Sequence, residues 1–449
     1  MALMVSISGI RGIVGDGLDP QVLVNFTNAY AEFIKSGKVV IGRDSRITGE
    51  MVKSITAGVL MAKGIDVIDI GICPTPTVQY MVKTLGAKGG IAISASHNPN
   101  EWNALKLLNG TGQFMSPAEH LEMKKYLDQP APQYKSWDKI GTYSYYSEGI
   151  QIHKNDALNM QWIDKEKIRA RKFRVVADCV NGAGLYVIPE LLRDLGCEVI
   201  EMNCEKSGIF PRLPEPLPEN LTETMKAVVE HKADLGVVVD PDADRLVLIT
   251  DKGEPFSEEN TITQAVRWVL SKNPGTVTVN LSTTRAVEDV AASFGCKVER
   301  SPVGEANVVD KMKINGSVIG GEGSGGVIYP ALHYGRDSLV GVVVTLQHLV
   351  EFGGSLSELK SALPQYAIAK MKIDLTTKSP DEVISDLADK YKNEKVSTDD
   401  GLRIDFPEYW VHLRKSNTEP IIRVIAEARS MDEAKSVCDK FFSEIKSLL

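Results

Sequence analysis

"IAISASHNPNEWNALKLLNG" (91–110) decides the fold: an apolar run that reads as a buried strand stops in Ser94, Ser96, His97, Asn98 and Pro99, then resumes. A strand that ends in a hydroxyl beside an imidazole, with Lys106 ten residues on, belongs to a sheet whose strand ends carry the chemistry. Toward the start of the chain, "KVVIGRD" (38–44), "TGEMVKSITAGVLMAKG" (48–64), "IDVIDIG" (65–71) and "TVQYMVKTLG" (77–86) alternate strand with helix, the pattern of a mostly parallel α/β sheet.

Toward the end of the chain, the polar, aromatic-dotted "QPAPQYKSWDKIGTYSYY" (129–146) reads as a boundary, after which the alternation restarts twice. One unit runs from "FRVVADCVNGAG" (173–184) to "ADLGVVVDPDADRLVLITDKG" (233–253), and another from "ENTITQAVRWVLSK" (259–272) to "GSVIGGEGSGGVIYP" (316–330). The last stretch differs, with "KMKIDL", "LRIDF", the hairpin "YWVHLRKSNTEPIIRVIAEA" (409–428) and a closing amphipathic helix, which reads as a small α+β domain. The expected architecture is three related mixed α/β sheet domains, 1–147, 148–253 and 254–367, with a smaller α+β domain, 368–449, around a central cleft.

Composition narrows the function classes. A chain of 449 residues exceeds one core, and 43% hydrophobic with 24% charged residues is ordinary for a globular protein. The net charge of −8 is spread along the chain, which argues against a nucleic-acid surface. Six cysteines are scattered without a C-x-x-C pair, fitting a reducing compartment. The opening "MALMVSISGIRGIVG" lacks the pattern of a signal peptide, and no run is long enough for a membrane span, so a cytoplasmic protein with no membrane partner is expected.

The polar loops then supply the chemistry. "DPDADR" sets Asp240, Asp242 and Asp244 at alternate positions between two apolar strands, where three carboxylates repel unless a cation joins them. An EF-hand needs Gly at the sixth position and Glu at the twelfth, which here are Arg245 and Asp251, so a hard, Mg²⁺-like ion completed by phosphate or water fits better. The alternative is an acidic solvated turn. Ser96 has no acid nearby for a hydrolase triad, but facing that loop as a phosphoserine it would supply the missing anionic ligand. Lys106, His97 and Arg11 are candidates for proton transfer or charge neutralisation. "GGEGSGG" lacks the lysine of a P-loop and offers Glu322 and Ser324, a set suited to sugar hydroxyls. "LRKSNTEPIIRV" gathers Arg414, Ser416, Asn417, Thr418 and Arg423 into a phosphate cradle, or a polar hairpin turn.

These four loops, in this order, resemble those of the α-D-phosphohexomutases. The resemblance implies a heart-shaped molecule with its site in the central cleft, Ser96 as phosphoserine, and Ser96 with Asp240, Asp242 and Asp244 as ligands of one Mg²⁺. It implies that Arg245 orients the site, that Lys106 and Arg11 lie near the phosphoserine, that Glu322 and Ser324 read sugar hydroxyls, and that Arg414, Ser416, Asn417, Thr418 and Arg423 hold the phosphate not in transit. The implied reaction moves phosphate between O1 and O6 of a hexose through a hexose 1,6-bisphosphate, the partner being a small phosphosugar and the enzyme a monomer or homodimer. Many bacterial members end the sugar loop in a histidine where this chain has Gly326, and His333 is a candidate substitute. The "GGEGSGG" and "SPVGEANV" segments resemble archaeal-type phosphoglucosamine mutases, so glucosamine phosphate is the expected substrate, with mannose or glucose phosphate as the alternative. A phosphatase and a silent sugar-phosphate sensor are the competing functions.

Overall fold

A computed structural model describes residues 3–7, 9–127, 133–375, 378–415 and 421–449, which form four sheets. In the second, Arg174–Asp178 pairs in parallel with Glu198–Met202 on one side and Leu235–Val239 on the other, and Leu246–Thr250 turns back antiparallel. The third repeats the plan, with Val277–Asn280 between Val298–Ser301 and Ile319–Glu322, and Gly326–Ile328 turned back. The first repeats it again within eight strands: Lys38–Arg43 between Asp66–Ile72 and Gly89–Ile93, with Trp102–Leu108 turned back.

Parallel neighbours require long crossovers, which the intervening helices provide, whereas the last pair needs only a short turn. That turn falls at the carboxyl end of the third strand of the plan, and in the three sheets it is "SASHNP", "DPDADR" and the Gly323–Gly325 segment. Strands such as Leu235–Val239 and Leu246–Thr250 are buried along their whole length, which is why they read as unbroken apolar runs.

The stretch read as a boundary contains one more strand. Tyr143–Tyr145 pairs in parallel with Asp66–Ile72 as an edge of the first sheet. Its side chains are exposed, so it shows no apolar alternation, and its place is fixed by Thr142, whose N–H and hydroxyl both donate to Asp66 Oδ1.

The fourth sheet is antiparallel, in the order Ala367–Asp374, Ile421–Ala428, Trp410–Lys415, Leu402–Asp405, Lys395–Ser397, with helices Pro380–Lys390 and Met431–Leu448 packed on it around a separate core. The second and third sheets instead share one core. Helix Ser338–Phe352 is its centre, packing Leu339, Val342, Val343 and Leu346 among side chains that include Val237 and Val279. Among the described residues, no helix is long and apolar enough to cross a membrane.

Candidate active site

Where strand Gly89–Ile93 ends, Ser94 Oγ accepts the Ser96 N–H at 2.9 Å and the backbone of Ser96 turns left-handed, with φ 49°. A non-glycine residue holds that conformation only when its surroundings impose it. Arg46 imposes it here: its Nη2 donates to Ser96 O at 2.9 Å and to Asn98 O, while Nη1 is paired with buried Asp44. The turn delivers Ser96 Oγ to the aspartate loop, 2.8 Å from Asp240 Oδ2. His97 Nδ1 lies 3.4 Å from the same hydroxyl; burial, then the charges of Arg245 and Arg11, push its pKa down to about 3, so the ring is neutral at physiological pH. Arg11 donates to Asn98 Oδ1 at 2.7 Å, and burial lowers its pKa despite the nearby Asp242.

Asp240, Asp242 and Asp244 are fully buried, and one oxygen of each lies within 4.8 Å of the others. Lys106 Nζ reaches Asp242 Oδ2 at 2.5 Å and Asp244 Oδ2 at 3.8 Å, and Thr75 donates its hydroxyl to Asp242 Oδ2. Burial and the two neighbouring carboxylates push Asp240 well above the usual carboxylate range, whereas Lys106 and Thr75 hold Asp242 below it against the effect of burial. Asp242 Oδ1 and Asp244 Oδ1 are buried without a hydrogen-bond partner. Two orphaned carboxylate oxygens beside a third acid and a serine hydroxyl are a donor set that fits a hard divalent cation.

The glycine-rich loop expected to read sugar hydroxyls is fixed through Glu322, which accepts from Asn280 Nδ2 at 2.8 Å, Gly304 N at 3.0 Å and Arg336 Nη1 at 2.8 Å. Burial raises its pKa, but Arg336 brings the net shift downward. On the fourth sheet, Arg414 and Arg423 are cross-strand partners, and Arg414 Nη2 pairs with Asp400 at 2.9 Å. Ser416, Asn417 and Thr418 lie outside the described residues.

A cavity of about 690 Å³ joins these parts, with Ser96, Lys106, Arg245, Glu322, Arg336 and Arg414 in its wall; Arg11, Ser324 and Arg423 also line it. Arg245 Nε stands 3.8 Å from Asp244 Oδ1. His333 is not in that wall. It is buried behind the sugar loop, with Nε2 3.0 Å from Asp337 Oδ2 and its ring edge-on to Tyr80 and His153, so it does not stand in for a cleft histidine. Four residues were not legible as parts of the site: Arg46, Thr75, Glu305 and Arg336. Glu305 accepts from Gln79 Nε2 at 2.8 Å and from Arg336 Nε at 3.0 Å, and burial pushes its pKa up to about 7. Two arginines around Asp44 at the end of an apolar strand, in "GRDSR", were the available signal for Arg46.

Three sheets of one plan, closed by a fourth around a serine, an acidic cluster and basic side chains, define the phosphohexomutase architecture. The chain belongs to the phosphoglucomutase/phosphomannomutase family: residues 4–132, 153–253 and 259–366 match its alpha/beta/alpha domains I, II and III, and 371–444 its C-terminal domain. A probable phosphoglucosamine mutase of Methanopyrus kandleri is 34% identical over 443 residues, which cover 98% of this chain and 97% of the relative. A phosphoglucomutase/phosphomannomutase of Thermococcus kodakarensis is 36% identical over 436 residues, 95% of each chain. The crystal structure of a family protein from Burkholderia thailandensis superposes with a TM-score of 0.84 at 26% identity, covering 99% of this chain and 98% of its own.

Proposed function

We propose that this phosphohexomutase interconverts the 1- and 6-phosphates of glucosamine, with phospho-Ser96 as the carrier. The observation that carries the mechanism is the contact of Ser96 Oγ with Asp240, 2.8 Å, at the wall of a cleft to which all four sheets contribute. Asp240, Asp242 and Asp244, with the Ser96 phosphate, would hold one Mg²⁺, which when bound neutralises charge on the phosphoryl oxygens. In each half-reaction the P–O bond to one partner breaks as the bond from the attacking hydroxyl to phosphorus forms. Ser96 gives its phosphoryl to the free sugar hydroxyl, a hexose 1,6-bisphosphate forms and reorients, and its other phosphate returns to Ser96.

The proton lost by the attacking hydroxyl is matched by one taken up at the leaving oxygen, Ser96 Oγ in the first half-reaction, and Lys106, Arg11 and His97 stand at that end to relay it or to neutralise charge. Arg245 orients that end. Glu322 and Ser324 hold sugar hydroxyls, and Arg414 and Arg423, with Ser416, Asn417 and Thr418, hold the phosphate not in transit. The segments 1–147, 148–253, 254–367 and 368–449 are the serine, metal, sugar and phosphate units of this scheme.

Glucosamine is favoured over neutral hexoses by the carboxylates on the sugar side of the cavity, Glu259, Glu305 and Glu322. Arg336 serves two of them. Glu259 accepts the Thr284 N–H, and burial pushes its pKa up to about 8 against the charge of Lys370, which also lines the cavity, so a substrate ammonium group would favour its ionised form. The names of the M. kandleri and T. kodakarensis relatives support glucosamine and glucose or mannose respectively.

The test is a coupled assay with Mg²⁺ and a trace of hexose 1,6-bisphosphate, comparing kcat/KM for glucosamine, mannose and glucose 1-phosphates. A preference for glucosamine 1-phosphate is expected; equal or better rates with the others would retire it. Release of inorganic phosphate in place of a 6-phosphate would make the protein a phosphatase, and binding without turnover a sensor. In the same assay Arg414→Ala should raise KM about tenfold with kcat little changed. A collapsed kcat would place Arg414 at the chemistry.

A further inference from the structure

Arg336 enters the cleft from the third sheet's unit and touches three carboxylates at once. Nη2 donates to Asp244 Oδ2 at 2.5 Å, Nη1 to Glu322 Oε2 at 2.8 Å and Nε to Glu305 Oε2 at 3.0 Å. Its side chain is 11% exposed, and it forms part of the cleft wall. A guanidinium has five N–H groups. The three bonds use three of them, which leaves one on Nη1 and one on Nη2. These spare donors sit on a plate held on three edges, between a carboxylate of the metal loop and the carboxylate of the sugar loop.

The stem of Arg336 is placed as specifically as its head. It lies over Gly326, where an added Cβ would stand 2.3 Å from Arg336 Cδ. The glycine and the arginine are therefore a matched pair, since any larger residue at 326 displaces the guanidinium.

We propose that Arg336 contacts substrate in the phosphoryl-transfer step, its remaining N–H groups donating to oxygens of the phosphoryl group in transit between Ser96 and the sugar. The inference rests on the mutase reading above. No proton moves to or from Arg336; it supplies fixed donors where charge develops, a role that needs the group locked in place before the reaction. Asp244, Glu305 and Glu322 supply that lock.

The experiment compares the wild type with Arg336→Gln, Arg336→Lys and Gly326→Ala in steady-state turnover of a hexose 1-phosphate, Mn²⁺ binding by titration, and thermal unfolding. Arg336→Gln should lower kcat about 100-fold or more while KM and the Mn²⁺ dissociation constant stay within about threefold. Arg336→Lys should recover little, because one ammonium cannot span three carboxylates and still donate. Gly326→Ala, which keeps the guanidinium but moves it, should lower kcat about tenfold. Wild-type kcat in Arg336→Gln, or a kcat loss matched by lost Mn²⁺ binding, would overturn the proposal, the second outcome reducing Arg336 to a brace for the metal loop. If Arg336→Gln does not fold, wild-type kcat in the other two variants overturns it as well. A wild-type protein that converts no hexose phosphate would sink the mutase reading first, and this inference with it.

Discussion

In the second sheet Leu235–Val239 turns back through six residues, Asp240–Arg245, and in the third Ile319–Glu322 turns back through three, Gly323–Gly325. The long turn carries three acids and has a left-handed alanine, Ala243, at φ 52°; the short one meets the same demand with Gly325 at φ 85°. Ala243 does not hold that conformation alone, because its carbonyl accepts the hydroxyl of Ser338 at 2.6 Å, at the start of a helix from the third unit. The two turns also bond directly, Leu246 N to Gly325 O at 2.9 Å. The metal loop is thus shaped by the sugar loop's own unit, and the comparison teaches that strain in one hairpin persists because the other is docked against it.

The largest expected effects separate the chemical roles of the hairpins. Ser96→Ala should reduce turnover by about 10⁴-fold or more without loss of the folded state, whereas Glu322→Gln should cost about 10- to 100-fold, mostly in KM, by the same assay. Equal losses in kcat alone would erase the distinction between a transfer side and a sugar side.

Next in size is the cation that the aspartate loop borrows from the first sheet. Lys106→Met leaves Asp242 buried with the Thr75 hydroxyl but without its cation, so the metal-free protein should lose about 3 kcal/mol in urea unfolding and recover much of it with added Mg²⁺. Unchanged stability without metal would mean that the loop does not need Lys106 to fold.

The hairpins themselves can be exchanged in kind. Gly325→Ala forces a left-handed alanine whose Cβ would stand 2.4 Å from Leu246 O, and should cost about 2 kcal/mol or more. Ala243→Gly relieves φ while losing a buried methyl, and should change stability by less than about 1 kcal/mol. Reversed magnitudes in parallel thermal melts would show that the backbone demand falls on Ala243 and not on Gly325.

The smallest effect is a pH slope at the edge of the sugar loop. With its pKa raised from 4.5 to about 8, Glu259 binds a proton in the native state that the unfolded chain has lost, so stability falls as pH rises through that window. Glu259→Gln keeps an acceptor for the Thr284 N–H and removes the slope. Its melting advantage over the wild type should grow between pH 5 and pH 8 by on the order of 1 kcal/mol per pH unit. A constant gap would show that Glu259 is ionised throughout.

Much of this was legible in the sequence because each repeated unit places an apolar run next to its chemistry. Ser96, the three aspartates and Glu322 each sit at or just past a strand end, and the periodicity that marks the strand also marks the residue. Arg336 was not legible, because Glu305 and Glu322 meet it only through the folding of the third unit and Asp244 only through the docking of the second unit on the third. In "PALHYGRDS" the imidazole of His333 drew the reading, but Asp337 and the ring of Tyr80 hold it behind the wall. The shared core escaped for a related reason: helix Ser338–Phe352 is apolar nearly all round, which reports burial but not which sheets bury it.

That helix has a consequence for the order in which the molecule is made. The first sheet has its own cores on both faces, so it can close as soon as its strands have been synthesised. The second shares its core with a helix that begins about a hundred residues later, at Ser338, so the core around Val237 is not complete when its own strands have been made. During synthesis the second unit is expected to keep part of its apolar surface uncovered until the chain has grown past Phe352, and to complete its core together with the third unit.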